Sequence, residues 1–183
     1  SVGRGDFREA CIVIADNIGS NVIDCKYTGY ELLDGFTLPN LPASRDKEQT
    51  LAITMNDKAR NITVTLYYST HVNSDVIVKS VAVTNNGQDS VHLLRVMSNQ
   101  LDLCCDDFIL DTLDGAWGRE RQINSSPLHC GITKTDSKRG ISSNCHNPYV
   151  VLRKTDCNSF YGEAYGFNLI YSGNHAEIFD KTP

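Results

Sequence analysis

The sequence predicts an all-β fold, an antiparallel sandwich with long loops and little helix. Three observations lead to this prediction. Apolar residues recur mostly at every second position, the apolar segments are short, and clusters of glycine, asparagine, aspartate and serine separate several of them. A period of two is that of a strand with one buried face, and short turns join neighbouring antiparallel strands.

The clearest predicted strand is NITVTLYYST, from Asn61 to Thr70, in which one side carries Ile62, Val64, Leu66 and Tyr68. Seven further segments are predicted strands on the same grounds: ACIVIA (10–15), NVIDCKYTGYELL (21–33), TLAITM (50–55), VIVKSVAVT (76–84), DFILDTL (107–113), YVVLRK (149–154) and AYGFNLIYS (164–172). Turn-forming clusters at 16–21, 56–58, 85–89 and 172–174 separate several of these strands.

Three segments need separate treatment. VHLLRVMSNQLDL (91–103) also fits helical spacing, and we predict a strand with a helix as the alternative. The stretch 34–48 carries two prolines, which exclude a central strand, and 124–147 is rich in serine, glycine and asparagine. Both are predicted loops. Because no repeat or linker interrupts the pattern, we predict one domain over residues 1–183.

The amino-acid composition limits which partners and which cellular compartment are expected. The 183 residues include 17 basic and 22 acidic residues, and the resulting net charge of -5 is interspersed, which argues against a nucleic-acid partner. No run approaches the roughly 20 apolar residues of a membrane span, so no membrane partner is expected. Seven cysteines are an odd number, and the adjacent Cys104 and Cys105 cannot readily pair. We therefore expect reduced thiols and a cytoplasmic location.

Several short motifs carry only weak functional signals. Arg4-Gly5-Asp6 spells an adhesion tripeptide, but three residues specify little. The His129-Cys130 and Cys145-His146 pairs lack the paired spacing of zinc ligands, so no metal and no cofactor are expected. Five nearby acids lack the spacing of a calcium loop and are interpreted as solvated turn residues: Asp102, Asp106, Asp107, Asp111 and Asp114.

The stretch DGAWGRERQ, from Asp114 to Gln122, contains the only tryptophan. If the segment is extended, Trp117, Arg119 and Arg121 project from one face about 7 Å apart. Aromatic rings stack on apolar sugar faces, arginine binds carboxylates and hydroxyls, and both residue types are common at interface hot spots. A Trp117 that fills the core remains an equal alternative to these surface roles.

Five motifs, in order and spacing, resemble the amino-terminal domain of glycoside hydrolase family 36, the bacterial and fungal α-galactosidases. They are GRGDFREA (3–10), LPNLPAS (38–44), DGAWGRERQ (114–122), DSKRGISSNCHNPYVVL (136–152) and YGFNLIYSGN (165–174). The resemblance covers essentially the whole chain, and its two longest motifs are specific.

The resemblance implies a twisted two-sheet β-supersandwich attached to a catalytic (β/α)8 barrel. Family members hydrolyse terminal α-galactosides such as melibiose and raffinose with retention, using two aspartates of the barrel. The barrel is expected downstream of Pro183, so no catalytic residue is expected within this chain. Strands are expected before the Gly5 to Arg8 motif as well, which would make the chain an internal portion of the supersandwich.

On this resemblance we expect an accessory and assembly domain that packs on the barrel of the same parent chain. A homo-oligomer, dimer or tetramer, and a galactoside substrate are the implied partners. Candidate pocket or interface residues are Trp117, Arg119, Arg121, Arg139, His146 and Asn147. One motif departs from the family, because its first histidine is replaced here by Asn144 while His146 is retained. A free-standing carbohydrate-binding module and a purely structural subunit-joining domain are the alternatives.

Overall fold

The computed structural model describes Gly5 and residues 7–43, 47–104 and 107–183. Predictions that involve Arg4, Asp6, Cys105 or Asp106 lie outside these ranges. Within them every regular element is a β-strand and every strand pair is antiparallel, which confirms the all-β prediction. The described residues include no helix of the length and apolar character that would span a membrane.

The described residues form twelve strands. They are β1 (Ile12–Ala15), β2 (Lys26–Asp34), β3 (Lys47–Asp57), β4 (Ile62–His71), β5 (Ser74–Asn85), β6 (His92–Val96), β7 (Phe108–Ala116), β8 (Arg119–Pro127), β9 (Gly131–Ser137), β10 (His146–Lys154), β11 (Ala164–Asn168) and β12 (His175–Lys181). Contacts divide the chain into two compact units, Ser1–Asp102 and Leu103–Pro183. The prediction of a single domain stays a prediction.

The first unit pairs a four-stranded sheet, in the order β2-β3-β4-β5, with the two-stranded sheet β1-β6. Strict alternation in β4 sends Ile62 and Val64 into the core, where both are fully buried beside Ile14 of β1. The segment predicted as strand or helix contains β6, so the strand prediction is confirmed for its amino-terminal part. In the segment 21–33 only the residues from Lys26 onward are strand.

The second unit also consists of one four-stranded and one two-stranded sheet. The four-stranded sheet has the order β11-β10-β7-β8, and the two-stranded sheet is β12-β9. Its core is built by Phe108 and Leu110 of β7 and by Val150 and Leu152 of β10, with Phe179 of β12 packed against them. The alternating burial of β7 and β10 is the pattern that the segments 107–113 and 149–154 predicted.

The prediction of a loop over 124–147 was wrong. This segment contains the end of β8, all of β9 and the start of β10. The error has a physical cause, because all nine residues of β8 are exposed and the strand therefore has no buried, alternating face. The strand β12 was missed as well, since its most buried residue is a histidine, His175.

The acids interpreted as turn residues are mostly ion-paired. Asp111 lies within β7 and accepts a 2.7 Å hydrogen bond from Arg153 Nε of β10. Asp107 pairs with Lys154, and Asp102 pairs with Arg8 at 3.3 Å. Asp114 also lies in β7. The turn interpretation is therefore wrong for Asp111 and Asp114, whose strand positions bring basic side chains of β10 within reach.

Candidate functional site

The stretch that contains Trp117 forms a tight hairpin and not one extended face. Strand β7 ends at Ala116, β8 begins at Arg119, and Trp117 and Gly118 form the turn between them. Gly118 has a φ of 77°, a left-handed conformation that glycine adopts without steric cost. The segment is therefore not extended as a whole, which was the condition for Trp117, Arg119 and Arg121 to share one face. The glycine beside the tryptophan was the signal for this turn.

Trp117 stands at the tip of the hairpin with 92% of its surface exposed. This position excludes the alternative in which the ring fills the core of this chain. Ile123, farther along β8, is 73% exposed, and every residue of β8 between them is exposed. Exposed aromatic and apolar groups beside arginines are typical of surfaces that bind another molecule.

The hairpin contains a β-bulge that holds Arg121 in a left-handed conformation. Asp114 faces Gln122 and Ala116 faces Arg119, so Gly115 alone lies opposite two residues of β8. Arg121 has a φ of 57°, which costs an ordinary residue about 1–2 kcal/mol. Backbone outliers of this kind persist where surrounding structure enforces them, and they are often found at functional sites.

A loop from 138 to 145 joins β9 to β10 and packs against the base of the hairpin. Gly115 N–H donates a 3.0 Å hydrogen bond to the Cys145 carbonyl. A Cβ atom at Gly115 would lie 2.6 Å from the Arg119 carbonyl oxygen and 3.1 Å from the Asn144 carbonyl oxygen. The first distance is too short for any Cβ atom and the second is tight, so the close approach of the β8 backbone at the bulge requires glycine at 115, and the loop adds to this constraint.

The far side of this loop is attached to the turn before β12. Gly140 N–H donates to Asn174 Oδ1 at 2.7 Å, and Ser142 Oγ donates to the Tyr171 carbonyl at 3.0 Å. Arg139 belongs to this loop and is exposed. The loop is therefore held at both ends by hydrogen bonds to neighbouring segments.

His146 begins β10 and pairs in register with Asp114 of β7. Its Nδ1 lies 3.0 Å from Asp114 Oδ1, and 45% of its side chain is exposed. Asn147 follows on the same strand and is half-buried. His146, Asp114 and Gln122 are thus neighbours across β10, β7 and β8 at the end of the sheet that carries the Trp117 turn.

Sequence reasoning missed Asp114 as a member of this site. The aspartate was grouped with four other acids, and its partner His146 is 32 residues away along the chain. No spacing rule connects them, because their proximity depends on the register between β7 and β10. Of the six residues predicted from sequence, the structure places Arg119, Arg121, His146 and Asn147 on β8 and β10, with Trp117 in the turn and Arg139 in the loop.

The first unit contains a separate cavity of about 270 Å³ with mixed lining. Met55, Leu66 and Met97 supply apolar surface, while Arg8 and Cys11 supply polar groups. Burial raises the pKa of the Cys11 thiol, and nearby Arg95 only partly offsets this effect. A thiol with a raised pKa is a poor nucleophile at neutral pH, so this cavity lacks an activated cysteine.

No metal centre is formed by the described residues, since they bring no three His, Cys, Asp or Glu side chains into a ligating group. Six of the cysteines are described, and all six are free: Cys11, Cys25, Cys104, Cys130, Cys145 and Cys157.

Comparison with known families matches residues 1–183 to the glycosyl hydrolase family 36 N-terminal domain. The chain belongs to this family. Among curated relatives, alpha-galactosidase Mel36A of Lactobacillus acidophilus is 40% identical over 180 residues, and alpha-galactosidase AgaA of Geobacillus stearothermophilus is 35% identical over 177 residues. The alignments cover 96% and 94% of this chain but only 25% and 24% of those relatives.

Solved family 36 structures have the same fold. The crystal structure of AgaA from Geobacillus stearothermophilus matches 100% of this chain and 26% of its own, with a TM-score of 0.94 and 33% identity. The alpha-galactosidase from Lactobacillus brevis matches 100% of this chain and 25% of its own, with a TM-score of 0.94 and 35% identity. An AgaA variant in complex with raffinose matches with a TM-score of 0.94 at 33% identity. The chain therefore spans about a quarter of the length of these relatives.

Proposed function

We propose that this chain is the accessory and assembly domain of a retaining α-galactosidase that hydrolyses terminal α-galactosides of the melibiose and raffinose type. The domain packs on the catalytic barrel of the same parent chain and contributes to the formation of the oligomer and the substrate pocket. Two findings support the proposal: the relatives are alpha-galactosidases, and an AgaA structure contains raffinose.

Catalysis is assigned to the remaining three quarters of the parent protein. Retaining glycosidases need two carboxyl groups about 5 Å apart on either side of the scissile bond. The carboxylates Asp111 and Asp114 of this chain are each engaged in hydrogen bonds to side chains of their own sheet. We therefore expect this chain to help position the substrate and exclude water from the pocket, while the barrel supplies proton transfer and covalent attack.

The exposed tip of the hairpin carries the proposal. Trp117 is 92% exposed, sits on a tight turn with a fixed base, and is adjacent in sequence to the Arg119–Arg121 segment. A rigid aromatic ring with nearby guanidinium groups is suited to a protein surface or to the apolar face of a sugar. We propose that Trp117, Arg119, Arg121, Arg139, His146 and Asn147 face the barrel or an adjacent protomer.

The proposal is tested by Trp117→Ala in the complete enzyme, with Phe160→Ala as the matched control. Phe160 is 97% exposed in the loop between β10 and β11, so its removal deletes a similar aromatic area elsewhere in the same unit. We expect Trp117→Ala to raise KM for raffinose or to weaken subunit association about 10-fold or more, as hot-spot aromatics do. Phe160→Ala should leave both unchanged. Normal sedimentation together with normal kinetics in Trp117→Ala would reject the proposal.

A carbohydrate-binding module is the second candidate, favoured by the exposure of Trp117. Isothermal titration calorimetry of this chain with melibiose and galactose distinguishes a carbohydrate-binding module from an accessory domain. A module binds these sugars unaided, whereas an accessory domain contributes only part of a pocket. The accessory role also predicts no hydrolysis of a chromogenic α-galactoside by this chain alone, and turnover by the purified chain would overturn it.

The cellular location is proposed to be the cytoplasm. All six described cysteines are free thiols, and such thiols persist in reducing compartments. Fractionation of the source cells, followed by immunodetection of the parent protein, tests this assignment. Recovery of the protein in the extracellular or periplasmic fraction would reject it.

A further inference from the structure

The carboxylate of Asp114 binds side chains from three strands. Its Oδ2 accepts hydrogen bonds from Thr112 Oγ1 of β7 and from Asn124 Nδ2 of β8, both at 3.1 Å. Its Oδ1 lies 3.0 Å from His146 Nδ1 of β10. Both oxygens of the carboxylate are therefore engaged, Oδ2 by β7 and β8 and Oδ1 by β10, and these contacts restrict the rotation of Asp114 with respect to the imidazole.

The chemistry of the pair decides the position of the histidine proton. An ionised carboxylate only accepts hydrogen bonds, so the nitrogen that contacts it must donate. His146 therefore carries its proton on Nδ1, and in the neutral ring Nε2 retains its lone pair. The side chain is 45% exposed, and its hydrogen bond within the described part of the chain is made by Nδ1, which leaves Nε2 as the nitrogen that can accept from another molecule.

The backbone around the histidine is held as firmly as its side chain. Cys145, which precedes His146, accepts the hydrogen bond from Gly115 N–H, and Ser143 Oγ accepts a 3.0 Å hydrogen bond from Cys145 N–H. Ser143 is buried. The ring is thus fixed both through its backbone and through its Nδ1 atom.

We propose that Asp114 is a positioning residue that fixes the tautomer and the orientation of His146, so that Nε2 accepts a hydrogen bond from a hydroxyl or N–H group at the galactoside pocket. This inference rests on the function proposed above and deepens it. Asp114 has no contact with substrate in the inference and acts only through His146. The donor is either a hydroxyl of the sugar or an N–H of the adjoining protein surface.

Two substitutions of the histidine separate its two nitrogens in the complete enzyme. His146→Asn places an amide N–H near the former Nδ1 and nothing at Nε2, whereas His146→Gln reaches the Nε2 position with a carbonyl oxygen. We expect KM for raffinose to rise about 3- to 10-fold in His146→Asn, the effect of one neutral hydrogen bond. His146→Gln should recover most of this loss, and kcat should change less than about twofold in both.

Asp114→Asn tests the positioning role directly. The amide can donate to Nδ1 and so favours the opposite tautomer, which places a proton on Nε2 and removes the acceptor. We expect the same rise in KM as in His146→Asn, and no further rise when the two changes are combined. Asp111→Asn is the matched control, because it weakens another β7–β10 side-chain pair, to Arg153, without touching His146.

The pattern across the variants identifies the donor. If the donor is a sugar hydroxyl, the pattern appears in KM for raffinose. If it is an N–H of an adjacent protomer, the same pattern appears in subunit dissociation measured by sedimentation, and if it is an N–H of the barrel of the same chain, the pattern appears in the Tm of the complete enzyme. The inference is overturned if Gln is no better than Asn at 146, if the two sites are additive, or if Asp111→Asn has the same effect. If Trp117→Ala reduces affinity or assembly while the variants at 114 and 146 change neither, only the inference fails. If none of these variants changes affinity or assembly, the proposed function fails too.

Discussion

Gly115→Ala provides the sharpest test of the hairpin geometry. The added methyl group would lie 2.6 Å from the Arg119 carbonyl oxygen, 2.8 Å from the Glu120 Cα and 3.1 Å from the Asn144 carbonyl oxygen. All three atoms are backbone, so no side chain can rotate away. The two strands of the hairpin must separate at the bulge, and the resulting shift of Gly115 also weakens its 3.0 Å hydrogen bond from N–H to the Cys145 carbonyl.

The magnitude follows from these two effects. Overpacking costs about 1–3 kcal/mol, and the hydrogen bond contributes about 0.5–1.5 kcal/mol, which gives a local destabilisation of about 2–4 kcal/mol. Hydrogen exchange of the peptides that cover 108–127 should then be about 30- to 700-fold faster, because 1.4 kcal/mol is a factor of ten.

Gly29→Ala is the matched control for this experiment. Gly29 also lies in a strand, β2, but a Cβ atom there meets nothing within 4 Å. Its exchange should stay unchanged or become slightly slower, since alanine reduces the entropy of the unfolded chain. Equal exchange in Gly115→Ala and the parent chain would refute the claim that glycine is required at the hairpin base.

Three further predictions concern other parts of the chain. Arg60→Met removes hydrogen bonds to the Ser20 carbonyl (2.8 Å) and hydroxyl (2.9 Å) and to Asp16 (3.3 Å). The substitution should lower the free energy of unfolding, measured in urea titrations, by about 2–4 kcal/mol, and a loss below about 0.5 kcal/mol contradicts this prediction. Burial raises the pKa of Glu177, so its contribution to stability is lost as pH rises through that raised pKa. The Tm of Glu177→Gln should therefore exceed the Tm of the parent chain by an amount that grows from pH 4 to pH 8. A Tm difference that does not change with pH rejects this prediction. Arg121→Gly relieves the φ of 57° and should stabilise the hairpin by about 1 kcal/mol in thermal unfolding while raising KM; a stabilised variant with normal KM and normal assembly would remove Arg121 from the site.

The strands that sequence reasoning found are those with one buried face. In β4 the apolar residues alternate, and Ile62 and Val64 are fully buried. The exposed strand β8 has no such signal, since RERQINSSP meets solvent on both faces. Hydrophobic periodicity reports burial and not hydrogen bonding, so a strand held mainly by its backbone ladder cannot be found this way.

The candidate site was predictable in part for a similar reason. Trp117 and the arginines stood out by residue type and by their place in a family motif. Asp114 did not, because its role comes from pairing with His146, Thr112 and Asn124 on three strands. Strand register is a property of the whole sheet, and one residue of slip would move Asp114 to the opposite face. A single sequence contains no independent measure of that register.

The base and the tip of the hairpin are held by different forces, and this difference determines how substitutions should act. The base is fixed by the approach at Gly115 and by the hydrogen bonds that converge on Asp114, all within the chain. Trp117 at the tip is 92% exposed and gains nothing from the core. Substitutions at the base should therefore change both stability and affinity, because they move the tip. Substitutions of Trp117 should change only what the tip touches, so unaltered unfolding combined with reduced affinity or assembly is the signature expected of a contact surface.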